Sequence, residues 1–130
     1  DPDGANLDRI QIIKGWRDTK GDLHEKIHNI ALADGRKVSR SGKARPVGNT
    51  VNTEEPSYTN TIGDPELATT WSDPDFNASE HAFYYLRILQ IPTPRWTAYD
   101  KKFFNLKDLS PEIPLSLQER AYTSPIWYTP

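Results

Sequence analysis

The chain has 130 residues and a formal net charge of −2, room for one domain and no global pull toward nucleic acid or acidic lipid. It contains no cysteine, which excludes disulfides and thiolate chemistry, and no apolar run near the roughly 20 residues that a membrane span needs. It also lacks methionine and opens Asp1-Pro2-Asp3-Gly4, so we expect an excised or processed piece of a larger protein, with any targeting signal elsewhere in the parent.

Four Trp, six Tyr and four Phe offer large buried areas per residue. Only Trp16 and Tyr58 precede residue 70, so the second half is expected to supply most of the core. Residues 1–6 are polar and turn-like and read as a linker remnant. The stretch 7–15 sets Ile10, Ile12 and Ile13 among charged residues and predicts a strand with one buried face. A polar turn over 17–22 and a second periodic segment over 24–33, closed by Asp34-Gly35, complete a β-hairpin.

Residues 34–57 are the least core-like part. Arg36, Lys37, Arg40, Lys43 and Arg45 fall close together without an acid between them. One reading is a phosphate-binding loop; the other, favoured because no aromatic interleaves to stack on bases, is a mobile solvated excursion. Order is expected to return at 58–62 and at 67–71, where Leu67, Thr69 and Trp71 would share a face of an extended chain.

The stretch 82–91 is apolar on both faces, with Phe83, Tyr85, Leu89 and Ile91 on one and Tyr84, Leu86 and Ile88 on the other. It predicts a central strand, stopped by Pro92 and Pro94. Residues 92–113 read as a long loop whose Trp96, Tyr99, Phe103 and Phe104 pack over a sheet. Ser116 and Glu119 after Pro114 predict a short capped helix, and 123–128, with Pro125, an edge strand. The sum is a mainly β chain: an antiparallel, β-sandwich-like domain over 7–130 with long loops and one short helix.

His24-Glu25-Lys26-Ile27-His28 matches H-E-x-x-H, which on a helix puts two zinc ligands on one face beside a general base. A helical reading has some support, from the spacing of Leu23, Ile27, Ile30 and Ala31. Three features argue against it. Ala31 stands where the extended motif wants Gly, His24 follows Gly21-Asp22 and would sit in a first helical turn, and 23 residues are too few for the usual cleft sheet. We therefore read His24 and His28 as positions on a solvent-facing hairpin arm and expect no metal there. Asp73, Asp75 and Asn77 resemble the start of a calcium loop, but Ala78 and Tyr84 occupy the positions that need Gly and Glu, so a turn is expected. His81 stands alone beside a strand, and Asn77-Ala78-Ser79 is a glycosylation sequon, relevant only in a eukaryotic secretory host.

Leu7-Asp8-Arg9-Ile10-Gln11-Ile12-Ile13-Lys14-Gly15-Trp16, Tyr58-Thr59-Asn60-Thr61-Ile62-Gly63, Ala82-Phe83-Tyr84-Tyr85-Leu86-Arg87, Ile91-Pro92-Thr93-Pro94-Arg95-Trp96 and Glu119-Arg120-Ala121-Tyr122-Thr123-Ser124-Pro125-Ile126-Trp127-Tyr128 resemble, in order, the C-terminal part of bacterial domain-of-unknown-function family 3604. That family is similar to the PHP (polymerase and histidinol phosphatase) metal-dependent phosphoesterases. The resemblance implies an N-terminal catalytic part with His-x-His and further ligands for a divalent metal cluster that activates water, and export to the periplasm or outside the cell. His24, His28 and His81 form no His-x-His, so none of that ligand set transfers to this chain.

The expectation is thus a non-catalytic, C-terminal accessory domain of a metal-dependent hydrolase, without a cofactor of its own. Its partner would be its own N-terminal catalytic domain, with no nucleic acid and no membrane span. Arg95, Trp96, Tyr99, Arg120 and Trp127 are the candidates for a domain interface or ligand border, since arginine offers a fork for oxyanions and Trp a rigid face. Simple pinning of the long loop and last strand to the core is the reading they must beat. The alternative function is a carbohydrate- or anion-binding module using the aromatic loop 92–104, which would leave at least two ring faces open.

Overall fold

Two strands, β1 (Leu7–Arg17) and β2 (Leu23–Leu32), form the predicted hairpin, with Trp16 opposite His24 and Ile13 opposite Ile27. Asp18 builds its turn. The carboxylate accepts from the backbone N–H of Lys20 and Asp22, and Gly21 takes a φ of +97°, which glycine adopts without strain. The computed structural model describes residues 3–130.

The long strand β3 (His81–Gln90) lies antiparallel on the other side of β1, with Tyr85 opposite Ile13. Two short strands share its second edge: β6 (Arg120–Tyr122) beside residues 87–89, and β7 (Ile126–Tyr128) beside residues 82–84. The strand expected over 123–128 is therefore confined to Ile126–Tyr128, and residues 120–122, ahead of it, pair separately across the Ser124-Pro125 break. Thr123 bridges the break, its N–H donating to Leu86 O and its hydroxyl accepting from Leu86 N. With β1 on one side and β6 and β7 on the other, β3 is the central strand that its two apolar faces predict. A second, two-stranded sheet pairs β4 (Thr93–Pro94) with β5 (Ser116–Leu117). The molecule is mainly β and antiparallel, with one short helix, as the sequence indicates.

The helix is misplaced by the sequence reading. It is α1 (Trp96–Phe103), inside the stretch taken for a loop, while Ser116 and Leu117 form β5. Pairing with Thr93–Pro94 overrides the capping signature, since a lone turn after Pro114 cannot nucleate a stable helix. α1 stops on Asn105, at a φ of 51°, where Asn105 N bonds Lys102 O and Leu106 N bonds Lys101 O, the paired bonds of a Schellman ending. Lys101 and Lys102 in its last turn favour the dipole and pair with Glu54 and Glu55.

Two further expectations fail. No strand forms over 58–62 or 67–71; the regular contacts beside 58–62 are isolated bridges, Asn52 with Ser57 and Leu7 with Asp64. The aromatics of 92–113 do not pack over a sheet: Thr97 and Ala98 face inward, and Trp96, Tyr99, Phe103 and Phe104 face solvent. Within the proposed linker remnant, Ala5 is buried and the Asn6 amide donates to three carbonyls of the 60–63 loop.

The buried apolar residues are small, Ile13 and Ile91 being the largest beside Ala5, Ala33, Ala82 and Ala98. Polar groups share the interior. Asp8, 1 % exposed, accepts from Arg36 at 2.6 Å, Arg9 at 2.9 Å and Gln118 at 3.0 Å. This hub ties β1 to the loop after β2 and to the strand approaching β6. No helix of the described residues is long and apolar enough to cross a membrane.

Candidate functional site

Alternation along β1, β2 and β3 gives the sheet two unlike faces. On one, Lys14 is the centre. It is 3 % exposed and donates to Asp73 Oδ2 at 2.6 Å and Asp75 O at 2.8 Å. Its ammonium also lies 5.0 Å from the Trp16 ring centroid and 5.8 Å from that of Tyr84. Tyr84 Oη donates to Asp73 at 2.8 Å, and Lys26 pairs with Asp75. The acids arrive on the loop between β2 and β3, whose turn forms because Asp73 Oδ1 accepts from Asp75 N and Asn77 Oδ1 from Ser79 N. The turn reading of Asp73, Asp75 and Asn77 thus describes their hydrogen bonding.

His28 stands beside this group, its ring 4.9 Å from that of Trp71, and its Nε2 is buried without a hydrogen-bond partner. Burial, with Lys26 nearby, holds its pKa below the ordinary histidine value, so the ring stays neutral. Burial pushes Asp73 up, but hydrogen bonds from Lys14, Tyr84 and the Asp75 amide outweigh it and leave its pKa lowered. Tyr84 is driven well above the usual phenol value by burial and by Asp73, so it keeps its proton and acts only as a donor. Donor atoms of His28, Asp73 and Asp75 lie within 4.8 Å of one another, a spacing that suits a cation. Two ammoniums already neutralise both carboxylates, and a metal would have to displace the buried Lys14. The cluster is an ion-pair network joining loop to sheet, buried at Lys14–Asp73 and exposed at Lys26–Asp75.

H-E-x-x-H lies on β2, not on a helix. Four residues along a strand put the Cα atoms of His24 and His28 roughly 13 Å apart, too far to grip one ion. His24 is engaged otherwise, stacked on Trp16 with centroids 5.0 Å apart and bonded through Nε2 to Asp18 at 2.9 Å. That bond first among several holds the Asp18 carboxyl below its usual pKa. The arm is solvent-facing as expected from Leu23 to Ile27, His24 included, but not at His28, which the sheet and Trp71 partly bury.

The opposite face is aromatic. Phe83 lies across Gly15 of β1, so close that a Cβ there would fall 2.4 Å from Phe83 Cζ. Ring centroids then run from Trp127 to Phe83 at 5.2 Å, to Tyr85 at 6.3 Å and to Tyr122 at 6.2 Å. Trp127 is 71 % exposed, and Leu23, Ile27 and Tyr122 are exposed too. An open groove of about 400 Å³ lies at the Trp127 end, between Leu23 of β2 and Phe83.

The predicted border residues fall into separate places. Arg95 precedes α1, with its guanidinium 5.5 Å from the Trp96 ring, and Trp96 and Tyr99 continue along the exposed side of the helix. Arg120 and Trp127 sit opposite Leu89 and Phe83, six residues apart on β3, hence roughly 20 Å from each other. They do not form one site. Sequence reasoning missed the Lys14–Asp73 pair and the aromatic row. The first joins residues far apart in the chain and left no local signal; the second was written in the alternation of Phe83 and Tyr85.

Over its whole length, residues 1–130, the sequence matches the family described as Protein of unknown function (DUF3604). The chain belongs to the DUF3604 family. No curated protein and no solved structure shows a significant match to it. The segments that resemble DUF3604 supply most of β1, residues 82–87 of β3, β4, α1's first residue, β6 and β7, so much of the main sheet carries the family likeness.

Proposed function

We propose that this DUF3604 chain is a non-catalytic accessory domain that docks on the rest of its parent, a PHP-like metal-dependent hydrolase of bacterial, exported character. One observation carries the reading: many of its large apolar groups are exposed, and others, Trp16, Phe83 and Tyr85 among them, are only half-buried. Among the described residues, the fully buried apolar set is four alanines and two isoleucines, while Trp96, Tyr99, Phe103, Phe104, Tyr122 and Trp127 face solvent. Aromatics left in water on a sheet face and on a helix are the pattern of surfaces meant to be covered. Around Lys14, the groups Asp73, Asp75, Tyr84 and Lys26 are engaged with one another, which fits a scaffold role beside a metal centre in the upstream part.

A second reading, a carbohydrate- or anion-binding module using 92–104, draws support from the open rings of that segment. Phe103 and Phe104 meet at 89° with centroids 4.9 Å apart, a wedge that inserts between neighbours better than it stacks on a flat ring. Docking therefore fits better. The test is to produce the parent with and without residues 1–130 and to assay metal-dependent phosphoesterase activity. Activity should require the upstream part and be absent from this chain alone; metal-dependent turnover by the isolated chain would overturn the reading.

A further inference from the structure

We propose that the loop following β2, residues 33–51, is a preformed anion cradle, in which Lys37, Lys43 and Arg45 hold a phosphate or sulfate group carried by a soluble ligand. No acid occurs from Gly35 through Thr53, and five cations fall between 36 and 45. The loop is solvated, as expected, and hydrogen bonds give it a defined shape. Arg36 spends its guanidinium on structure, donating to Asp8, Ala33 O and Arg45 O. Asn29 of β2 donates to Gly42 O, and a tight turn joins Ser39 to Lys43 through Ser39 N, Lys43 N and the Ser39 hydroxyl, with Gly42 at a φ of +77°.

These bonds shape a hollow of about 380 Å³ walled by Lys37, Val38, Ser39, Lys43 and Arg45 over Arg36. Its cations are unspent. Among the described residues, ion pairs engage Arg9, Lys14, His24, Lys26, Arg36, Lys101 and Lys102, and none reaches Lys37, Arg40, Lys43 or Arg45. Cations gathered by a fixed backbone around a concavity, with their own acids absent, bind oxyanions by charge-assisted hydrogen bonds, and fixing the loop beforehand lowers the ordering cost. Arg45 supplies the planar fork and the lysines compact charge. No aromatic lines the hollow, which disfavours nucleobases. The cradle stands independently of the docking reading.

Titration calorimetry at low salt decides it, using the full chain with glucose 6-phosphate, inorganic phosphate, inorganic sulfate and, separately, phosphatidylserine vesicles. Saturable binding of the sugar phosphate is expected, weakened about tenfold or more by Lys43→Ala with Arg45→Ala. That pair leaves the loop intact, because Arg36 holds the backbone carbonyl of Arg45, and circular dichroism checks it. Lys101→Ala with Lys102→Ala removes the same charge from cations that already face Glu54 and Glu55 and should leave binding unchanged. Inorganic phosphate or sulfate binding as tightly as the ester, and lost with the same variants, supports the cradle with a free anion as its ligand. Binding to vesicles alone, equal weakening by both variant pairs, or no binding to any soluble anion would overturn it.

Discussion

Lys14 and Asp73 face each other at 2.6 Å with 3 % and 6 % of their side chains exposed, and a pair so buried is costly to break from one side. Lys14→Met should cost about 3–5 kcal/mol in urea unfolding, because Asp73 would stay behind as an uncompensated buried charge, while Lys14→Met with Asp73→Leu should recover most of that loss. A single variant as stable as the parent chain would show the pair to be incidental. His28 adds a pH signature. Its folded pKa is lowered from 6.5, so the folded chain binds fewer protons than the unfolded one as pH falls. Stability is therefore whole above the unfolded value and declines as pH drops below about 6.5. Asp73 acts at lower pH, since its lowered pKa makes its contribution whole above 3.8 and lost as pH falls further. His28→Gln should flatten the decline between about pH 6.5 and 5 in denaturant titrations at each pH, and an unchanged slope would count against a neutral buried imidazole.

At the scale of elements, β1 and β3 are held together by shape as well as by their ladder. Gly15 leaves room for Phe83, an aromatic ring covering a glycine on the paired strand. Gly15→Ala should destabilise by about 1–3 kcal/mol, and the effect should shrink in a Phe83→Leu background, measured as a double-mutant cycle. Equal costs in both backgrounds would mean the ring is not the obstacle. The hairpin and the central strand were legible because their apolar residues repeat every second position and Asp18, Gly21, Pro92 and Pro94 punctuate them. α1 was not legible, because its buried residues are Thr97 and Ala98 while its aromatics point outward, which inverts the pattern that marks a core-facing helix. Its end was readable at Asn105 only with the left-handed backbone in view. Among the border residues, Trp96, Tyr99 and Trp127 are exposed, and the separation of Arg120 from Trp127 depends on β3 register, which no single segment encodes. The Lys14–Asp73 contact spans 59 positions and has no periodic trace.

For the whole molecule the consequence is a sheet with one face braced by an ion-pair network and the other left aromatic and open, beside a helix whose Trp96, Tyr99 and Phe103 stand in water. The fully buried apolar residues are mostly alanines, so on the accessory-domain reading the stability of the isolated chain should rise when its exposed aromatics are covered. Hydroxyl-radical footprinting reads that covering side chain by side chain. Comparing the intact parent with the isolated chain, the account predicts strong protection of Trp96, Tyr99, Phe103 and Trp127 in the parent, with Phe76 on the other side of the sheet little changed. Equal oxidation of those four residues in both proteins would contradict it.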